Sequence, residues 1–343
     1  MRRLTALRFA WTLCAFAVLV ALASLASLAL GPSGLSLGEV VRVLLDPDTT
    51  HAGGAASDIV WRIRLPRTLL ALLVGASLAT SGVVFQALLR NPLADPYVLG
   101  ISGGAALAGI AMLSLGSAFG FGASAVPPAA FAGSVLATIA LHAIAGAGGR
   151  VSPTNLLLTG VVFNAFASAA IVFLASIAGL TEGARIFLWL IGNLGAAAFD
   201  SAGIVALFLA LGLAVSMILA RSLNLLALGD ETAEQLGVAT EVHKRWLLVA
   251  TALMVGAAVS VAGLVGFVGL IIPHLLRLVI GADHRLLVPS AALAGGAFLV
   301  ICDTAARTVL FGRELPVGAI TAIVGGPLFL VLLRRHHHKV FTG

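Results

Sequence analysis

Long apolar stretches separated by short polar turns run along almost the whole chain. A helix needs about 20 apolar residues to cross the hydrocarbon core of a bilayer. Stretches of roughly this kind predict an all-α protein with ten membrane spans: Phe9–Leu30, Thr68–Leu89, Tyr97–Ser117, Val126–Gly148, Thr154–Gly179, Ser201–Ala220, Trp246–Leu264, Phe267–Gly281, Val288–Leu310 and Val317–Leu333. The apolar stretch Ile186–Phe199 is too short to cross, and we expect a half-helix at one surface.

The composition is that of a protein embedded in a lipid bilayer. Of the 343 residues, 60% are apolar and 10% are charged, whereas about a quarter of the residues in a soluble domain are charged. The mean hydropathy is +1.11. These values exclude a disordered chain and a nucleic-acid-binding domain. Cys14 and Cys302 both lie in apolar stretches, so the sequence indicates neither a disulfide framework nor a metal site.

Basic residues predict the orientation of the spans. Most of the 20 Lys and Arg residues fall on the side that holds both chain ends. Because basic loops stay in the cytoplasm, we expect both termini there. The apolar stretch 9–30 is longer than the roughly 7–15 residues of a signal-peptide core. We therefore expect it to be the first span, with cleavage after its Ala-rich end as the alternative.

The two halves of the chain share a pattern at a separation of 181 residues. The matching positions are Val74–Ala76 with Val255–Ala257, Gly82 with Gly263, Pro92 with Pro273, and Val98 and Gly100 with Val279 and Gly281. The matched units begin at the second and seventh predicted spans, five crossings apart, so they have opposite orientations. Inverted repeats are a recurrent plan of transporters, and the pattern predicts one here, formed by spans 2–5 and 7–10.

Two polar segments interrupt the apolar pattern. In Arg90–Pro96 two prolines forbid a continuous helix, and we expect Asn91 and Asp95 to cap the helix that follows. The longest polar segment is 221–245, which Gly229 and Gly237 are expected to divide into two short helices. A transporter driven by a separate motor needs a protruding segment of this kind, and a solvated loop is an equal alternative.

The second polar segment has an apolar and an acidic set of side chains. We expect one side to be apolar, formed by Leu225, Leu228, Leu236 and Val238. The acidic side chains are expected to stay in water, and these are Asp230, Glu231 and Glu234.

Arginines are grouped on the side opposite to the chain ends. Arg62, Arg64 and Arg67 lie within six residues, and Arg313 falls on the same side. Such a group can attract an acidic protein partner, which is the interpretation we favour over snorkelling toward lipid phosphates.

Two ionisable features lie within predicted spans. Asp303 and Arg307 are four residues apart, and each alone would cost about 2.5–3.5 kcal/mol at the bilayer centre. Since they can pair on one helix face, we favour a structural ion pair over a proton relay. Pro273-His274 lacks a second metal ligand at helical spacing, which favours a packed helix.

Enzymatic signatures are missing from the sequence. It contains no G-x-x-x-x-G-K-[ST], H-E-x-x-H or G-x-S-x-G motif. We therefore expect no catalytic site and no ATP hydrolysis by this chain.

Several motifs, in order along the chain, resemble those of the FecCD/BtuC family of permeases, the membrane subunits of type II ATP-binding-cassette importers. The matching stretches are Arg64–Arg67, Arg90–Pro96, Leu99–Gly103, Leu228-Gly229, Leu236–Val238, Gly266–His274, Asp283–Arg285 and Glu314–Gly318. The resemblance runs from about Arg64 to Leu333. It implies a single permease domain over 1–343, with a first span at 9–30, repeats at 64–179 and 246–333, and coupling helices at 221–245.

The resemblance also implies partners and cargo. It implies a homodimer in the bacterial inner membrane, two cytoplasmic ATPase subunits that bind ATP and Mg, a periplasmic binding protein, and no cofactor or metal in this chain. The implied cargo is a metal chelate, and we expect a ferric siderophore or haem ahead of cobalamin.

Residue roles follow from the same resemblance. Docking of the binding protein is assigned to Arg64, Arg67 and Arg307. Coupling to the ATPase is assigned to Asn224, Leu228, Gly229, Asp230, Glu234 and Gly237. The cytoplasmic gate is assigned to Ser152, Pro153 and Thr154, where Pro153 departs from the small hydroxyl residue of some relatives. Structural motifs comprise Asn91, Pro92, Asp95, Pro96, Pro273 and His274.

The hypothesis is alternating access, in which ATP binding closes the two ATPases and Asn224–Val238 transmits that motion to the membrane helices. Substrate is expected to enter near the external arginines and to leave past Ser152–Thr154. The alternative is an ion-coupled secondary transporter or channel that works without an ATPase and needs Asp303.

Overall fold

The computed structural model describes residues 5–31, 33–45, 54–146, 152–310 and 313–340. The described residues form helices and connecting turns without strands. The α-helices are α1 Ala6–Ala29, α2 Leu37–Leu45, α3 Ala55–Asp58, α4 Leu65–Leu88, α5 Ile101–Leu115, α6 Val126–Ala145, α7 Pro153–Ile177, α8 Gly179–Leu190, α9 Phe199–Ile218, α10 Ala220–Leu226, α11 Asp230–Gln235, α12 Thr240–Ala262, α13 Val268–Ile280, α14 His284–Thr308 and α15 Val317–Val340. A π-helical turn, Ile59–Arg64, joins α3 to α4.

The predicted ten-span, all-helical architecture is confirmed. Within the described ranges, seven helical stretches are long and apolar enough to cross a membrane, and they contain α1, α4, α6, α7, α9, α12 and α14. Three shorter apolar helices, α5, α13 and the first part of α15, complete the ten.

The surface half-helix lies earlier in the chain than predicted. It is α8, Gly179–Leu190, whereas the end of the predicted stretch, Phe199, already begins α9. Glu182 and Arg185 pair at 2.9 Å on the exposed side of α8. Both charges fit the exposed side of a helix that buries Ile186.

Three helices form the centre of the bundle. In the most apolar 18-residue part of each helix, 83% of the residues are buried for α4 and 72% for α12 and for α14. The corresponding buried fractions are 17% for α1 and 22% for α7. The outer helices therefore expose broad apolar faces, as expected where lipid or another membrane subunit covers them.

Glycines allow the central helices to touch backbone to backbone. A Cβ placed on Gly75 would overlap the Gly295 carbonyl of α14, and one placed on Gly82 would overlap the Gly269 carbonyl of α13. Small residues at such contacts are the usual means of close packing between membrane helices. The close packing of the antiparallel helices α4 and α14 depends on this backbone contact between Gly75 and Gly295.

Two non-helical segments enter the bundle and meet there. Tyr97, in the segment between α4 and α5, accepts a hydrogen bond through its hydroxyl from the Val265 amide at 2.6 Å. Val265 lies between α12 and α13, and Pro96 packs near Gly269 at the start of α13. Non-helical backbone at membrane depth requires such burial in protein.

The expected capping roles of Asn91 and Asp95 are wrong. Asn91 Oδ1 accepts a hydrogen bond from the Leu93 amide, and Asp95 Oδ1 accepts one from the Tyr97 amide at 2.8 Å. Each side chain therefore closes an Asx turn, in which its oxygen bonds to the backbone amide two residues later. Helix α5 starts later, after Gly100, without a side-chain cap.

The inverted repeat is visible in the helices, whereas the 181-residue register fails in detail. In each half a long buried helix, α4 or α12, is followed by a non-helical segment and a short helix, and α4 and α12 run in opposite directions. However, Pro92 lies in a turn and Pro273 lies inside α13. Because the connecting segments differ in length, no single offset aligns all helices.

Helix α14 connects the two ends of the bundle. Its first residue, His284, contacts Asn224 in α10, and Asp303 in its last turns contacts Arg67 at the start of α4. At about 1.5 Å per residue its 25 residues span about 37 Å. We call these regions the coupling end and the arginine end. Helix α1 begins at the coupling end, where Arg8 bonds to the Ile280 carbonyl.

The glycine contact of α4 generates a prediction. Gly82→Ala should lower stability by about 1–3 kcal/mol because its methyl group must displace the α13 backbone. Gly203→Ala in α9 is the matched control, since nothing lies within 4 Å of its added Cβ. Thermal unfolding in detergent, followed by size-exclusion chromatography, checks this. Equal melting temperatures for the two variants would contradict the packing argument.

Candidate functional site

Asp303 is the centre of a buried ion cluster at the arginine end. Its carboxylate accepts hydrogen bonds from Arg67 Nε at 3.0 and 3.1 Å and from Arg307 Nε at 3.1 Å. The Asp303 side chain is 1% exposed. The predicted Asp303–Arg307 ion pair is confirmed, and Arg67 is an additional partner that the sequence spacing did not indicate.

Further polar groups complete the cluster. Arg67 Nη1 donates to Glu314 Oε2 at 2.7 Å, and Arg307 Nη2 donates to Ser27 Oγ at 2.7 Å. Ser27 Oγ in turn lies 2.9 Å from Thr68 Oγ1. The cluster thus joins α1, α4, α14 and the loop before α15 around two positive and two negative charges.

The three arginines assigned to docking are buried within the chain. Arg64 bonds to the Leu28 and Ala29 carbonyls at the end of α1 and to Ser33 Oγ, while Arg67 and Arg307 belong to the Asp303 cluster. Arg62 and Arg313, by contrast, are exposed. Arg62 pairs with Asp58 at 3.1 Å.

The polar segment at the coupling end folds as predicted into two short helices, α10 and α11. Gly229, between them, has φ of +125°, and Gly237, after α11, has φ of +85°. L-residues other than glycine rarely adopt these angles, which explains why the helices end at these positions.

The expected distribution of side chains on this segment is partly wrong. Leu228 and Leu236 are exposed at 65% and 59%, whereas Val238 is buried. Asp230 is not simply solvated, because its carboxylate accepts a hydrogen bond from Lys244 Nζ at 2.7 Å. Glu234 is exposed but accepts one from Thr240 at 2.7 Å. These bonds fasten α11 to the start of α12.

Asn224 fastens the segment to α14. Its amide nitrogen donates to Asp283 Oδ1 at 3.0 Å, and its oxygen accepts from the His284 backbone and lies 2.7 Å from His284 Nδ1. Asp283 also bonds to the Arg285 guanidinium at 2.6 Å. This guanidinium holds the pKa of the Asp283 carboxyl well below its usual range. Asp283 therefore stays ionised as the N-cap of α14.

Among the cavities that the described residues form at the coupling end, two are large. One, of about 470 Å³, lies between α10, the end of α13, the start of α14 and the Arg90 turn; it is lined by residues that include Arg90, Pro92, Asn224, Arg277 and His284. The other, also about 470 Å³, brings the assigned gate residues Ser152 and Pro153 beside Leu228, Gly229, Asp230 and Glu234.

The residues that the resemblance assigns to a gate lie at the start of α7. Ser152 Oγ accepts a hydrogen bond from the Asn155 amide at 3.1 Å, Pro153 is the first residue of the helix, and Thr154 is exposed. Proline suits the first helical position because its missing N–H would have no intrahelical partner there. The departure at Pro153 is therefore compatible with the local fold.

Two further motif residues, Pro273 and His274, lie in α13. Pro273 is buried inside α13, and His274 lies edge-on to Phe329 of α15 with ring centroids 6.4 Å apart.

Sequence reasoning missed three residues of these sites. Glu314 and Lys244 were visible only as single charges near helix ends, and Ser27 is one of several serines in an apolar helix. Their partners are 247, 14 and 280 residues away for Arg67–Glu314, Lys244–Asp230 and Arg307–Ser27. Only the Glu314-Leu315-Pro316 motif could have drawn attention to one of them.

The buried cluster predicts a large effect of removing its central charge. Asp303→Asn should destabilise the protein by about 3–5 kcal/mol, because two buried guanidinium groups lose their shared counter-ion. Asp58→Asn, at an exposed Arg62 pair, should cost less than about 1 kcal/mol. Thermal unfolding in detergent measures both, and a harmless Asp303→Asn would refute the structural role.

Comparison with known proteins places this architecture in a family. The profile of the FecCD transport family matches residues 19–335. The cobalamin import system permease protein BtuC of Halobacterium salinarum is 45% identical over 279 residues, covering 81% of this chain and 74% of the relative. The hemin transport system permease protein HmuU of Yersinia pestis is 40% identical, covering 83% and 87%. The vitamin B12 import system permease protein BtuC of Shigella boydii is 39% identical and covers 94% of both chains.

A solved structure shares the fold. It is an inward-facing transporter assigned to the metal-chelate type of ABC transporters, with a TM-score of 0.84, 29% identity, and coverage of 94% of this chain and 98% of that chain. The family match, the relatives and the ten-helix architecture agree: this chain is a membrane permease that belongs to the FecCD transport family.

Proposed function

We propose that the chain is the permease subunit of an ATP-driven importer of metal chelates and works by alternating access. The observation that carries the proposal is the fastening of the coupling segment 224–238 to α14 through Asn224. A force applied to this segment reaches α14 and, along that helix, the arginine end.

The proposed assembly is a homodimer with two ATPase subunits at the coupling end and a substrate-binding protein at the arginine end. The exposed leucines Leu228 and Leu236 give the ATPase an apolar contact. We place the coupling end and both termini in the cytoplasm of a bacterial inner-membrane system. ATP and Mg are bound by the partner, and this chain carries no cofactor.

In the proposed cycle, movement of the ATPases is passed to the membrane helices through the coupling segment. Closure of the ATPases on ATP moves α10 and α11, and α14 moves with them. The same segment shares a cleft with Ser152 and Pro153 at the start of α7. Substrate enters at the arginine end and leaves past these gate residues. The repeats 64–179 and 246–333 act as one permease domain.

An ion-coupled transporter without an ATPase gains little support from the arginine end. A proton-carrying carboxylate needs access to water and release of its counter-ions. Asp303 is 1% exposed and bonded to two arginines.

Affinity purification from the native membrane in mild detergent tests the assembly. The expected result is one P-loop ATPase per permease chain, identified by mass spectrometry. A homo-oligomer without an ATPase, recovered under conditions that keep complexes intact, would reject the importer.

The coupling contact predicts a specific variant. Leu228→Asp should lower transport-coupled ATPase activity by about tenfold, because it places a charge in the apolar contact. Gln235→Asp, at another exposed position of the same segment, is the matched control and should change little. Unaltered coupling in the Leu228 variant would contradict the contact.

The cargo is proposed only as a metal chelate. We expected iron chelates ahead of cobalamin, but the similar permeases include two named for cobalamin or vitamin B12 and one named for hemin. We therefore propose cobalamin and haem as equal candidates. Uptake of radiolabelled cyanocobalamin and hemin into proteoliposomes of the purified assembly decides between them, and uptake of neither would reject both.

A further inference from the structure

Glu314 covers Arg67 at the surface of the arginine end. Its side chain is 59% exposed, while that of Arg67 is 7% exposed. The backbone beside it is anchored, because the Leu315 amide donates to the Ala306 carbonyl at 3.0 Å. Glu314 therefore holds a fixed position in the chain with a side chain that reaches into solvent.

The two carboxylates on Arg67 differ in how easily they can be replaced. Asp303 is enclosed and accepts hydrogen bonds from both Arg67 and Arg307. Among the described residues, the Glu314 carboxylate accepts one side-chain hydrogen bond, from Arg67 at 2.7 Å, and does so from a half-solvated position. Moving Glu314 into water costs little, because an exposed carboxylate has most of its hydration already. Removing Asp303 would leave buried Arg307 without its acidic partner and buried Arg67 with Glu314 alone.

The charges of the cluster are already balanced. Arg67 and Arg307 face Asp303 and Glu314, so an approaching acidic protein meets a neutral group and would add a third negative charge. Two further cations lie close to this balanced cluster: Arg64 bonds only to neutral oxygens in the described part of the chain, and Arg313 is exposed beside Glu314.

We propose that Glu314 is an exchangeable counter-ion, which a carboxylate of the docking partner displaces from Arg67 Nη1. Asp303 holds the Arg67 side chain through Nε throughout, so the arginine is preorganised for its new partner. Arg64 and Arg313 attract the acidic face of that partner, and Glu314 turns into solvent when it docks. The partner class is a soluble protein with surface carboxylates. The inference rests on the proposed docking of a binding protein at this end.

Glu314→Gln tests the exchange, with Asp58→Asn as the matched control. Both variants remove one exposed negative charge at the arginine end, but Asp58 pairs with exposed Arg62. The first readout needs no partner: phenylglyoxal labelling of Arg67, mapped by peptide mass spectrometry. Labelling should rise in Glu314→Gln and stay at the wild-type level in Asp58→Asn. Unchanged Arg67 labelling in Glu314→Gln would overturn the shielding.

The second readout is the affinity of the purified permease for the binding protein that copurifies with it. Glu314→Gln should tighten binding by about fivefold, and the difference should shrink as salt is raised. Equal or weaker binding, or equal tightening by Asp58→Asn, would overturn the exchange while leaving the importer in place. If the wild-type chain binds no such protein, the proposed docking fails and the exchange fails with it.

Discussion

The antiparallel contact between α4 and α14 is the constraint on which the rest of the structure depends. Gly75 and Gly295 let the two backbones touch, so neither helix can rotate or slide without a clash. This contact fixes which residues meet at each end. Arg67 is brought to Asp303 at one end, and Gln86 and His284 line a common cleft at the other. Packing of apolar and small groups thereby determines where the charges are placed.

The arginine end shows how a membrane protein keeps charged groups near its core. Arg67 and Arg307 are acceptable there because Asp303 serves both, and Ser27 supplies a neutral oxygen to Arg307. The same arrangement explains why these arginines are not free surface charges. Any acidic partner must compete with the carboxylates of the chain itself. Displacing Glu314 costs the least free energy of these, because its side chain is already largely in solvent.

The coupling end uses amide and carboxylate hydrogen bonds where the bundle interior uses packing. Asn224 contacts both Asp283 and His284, and Lys244 holds Asp230. Such directional bonds keep two short helices in place that bury too little apolar surface to be stable alone. Because Asn224 bonds to Asp283 and His284 at the start of α14, we expect a displacement of the coupling segment to move α14 with it.

The sequence by itself determined the helical membrane architecture, the two short helices of the coupling segment and the Asp303–Arg307 pair, since each depends on local periodicity, glycine or i, i+4 spacing. It did not determine the turn roles of Asn91 and Asp95, the burial of Arg64 and Arg67, or the pairing of Glu314 and Lys244. Those were decided by the tertiary structure. An ion pair between Arg67 and Asp303 joins residues 236 apart in the chain, and only the packing of α4 on α14 brings them within bonding distance.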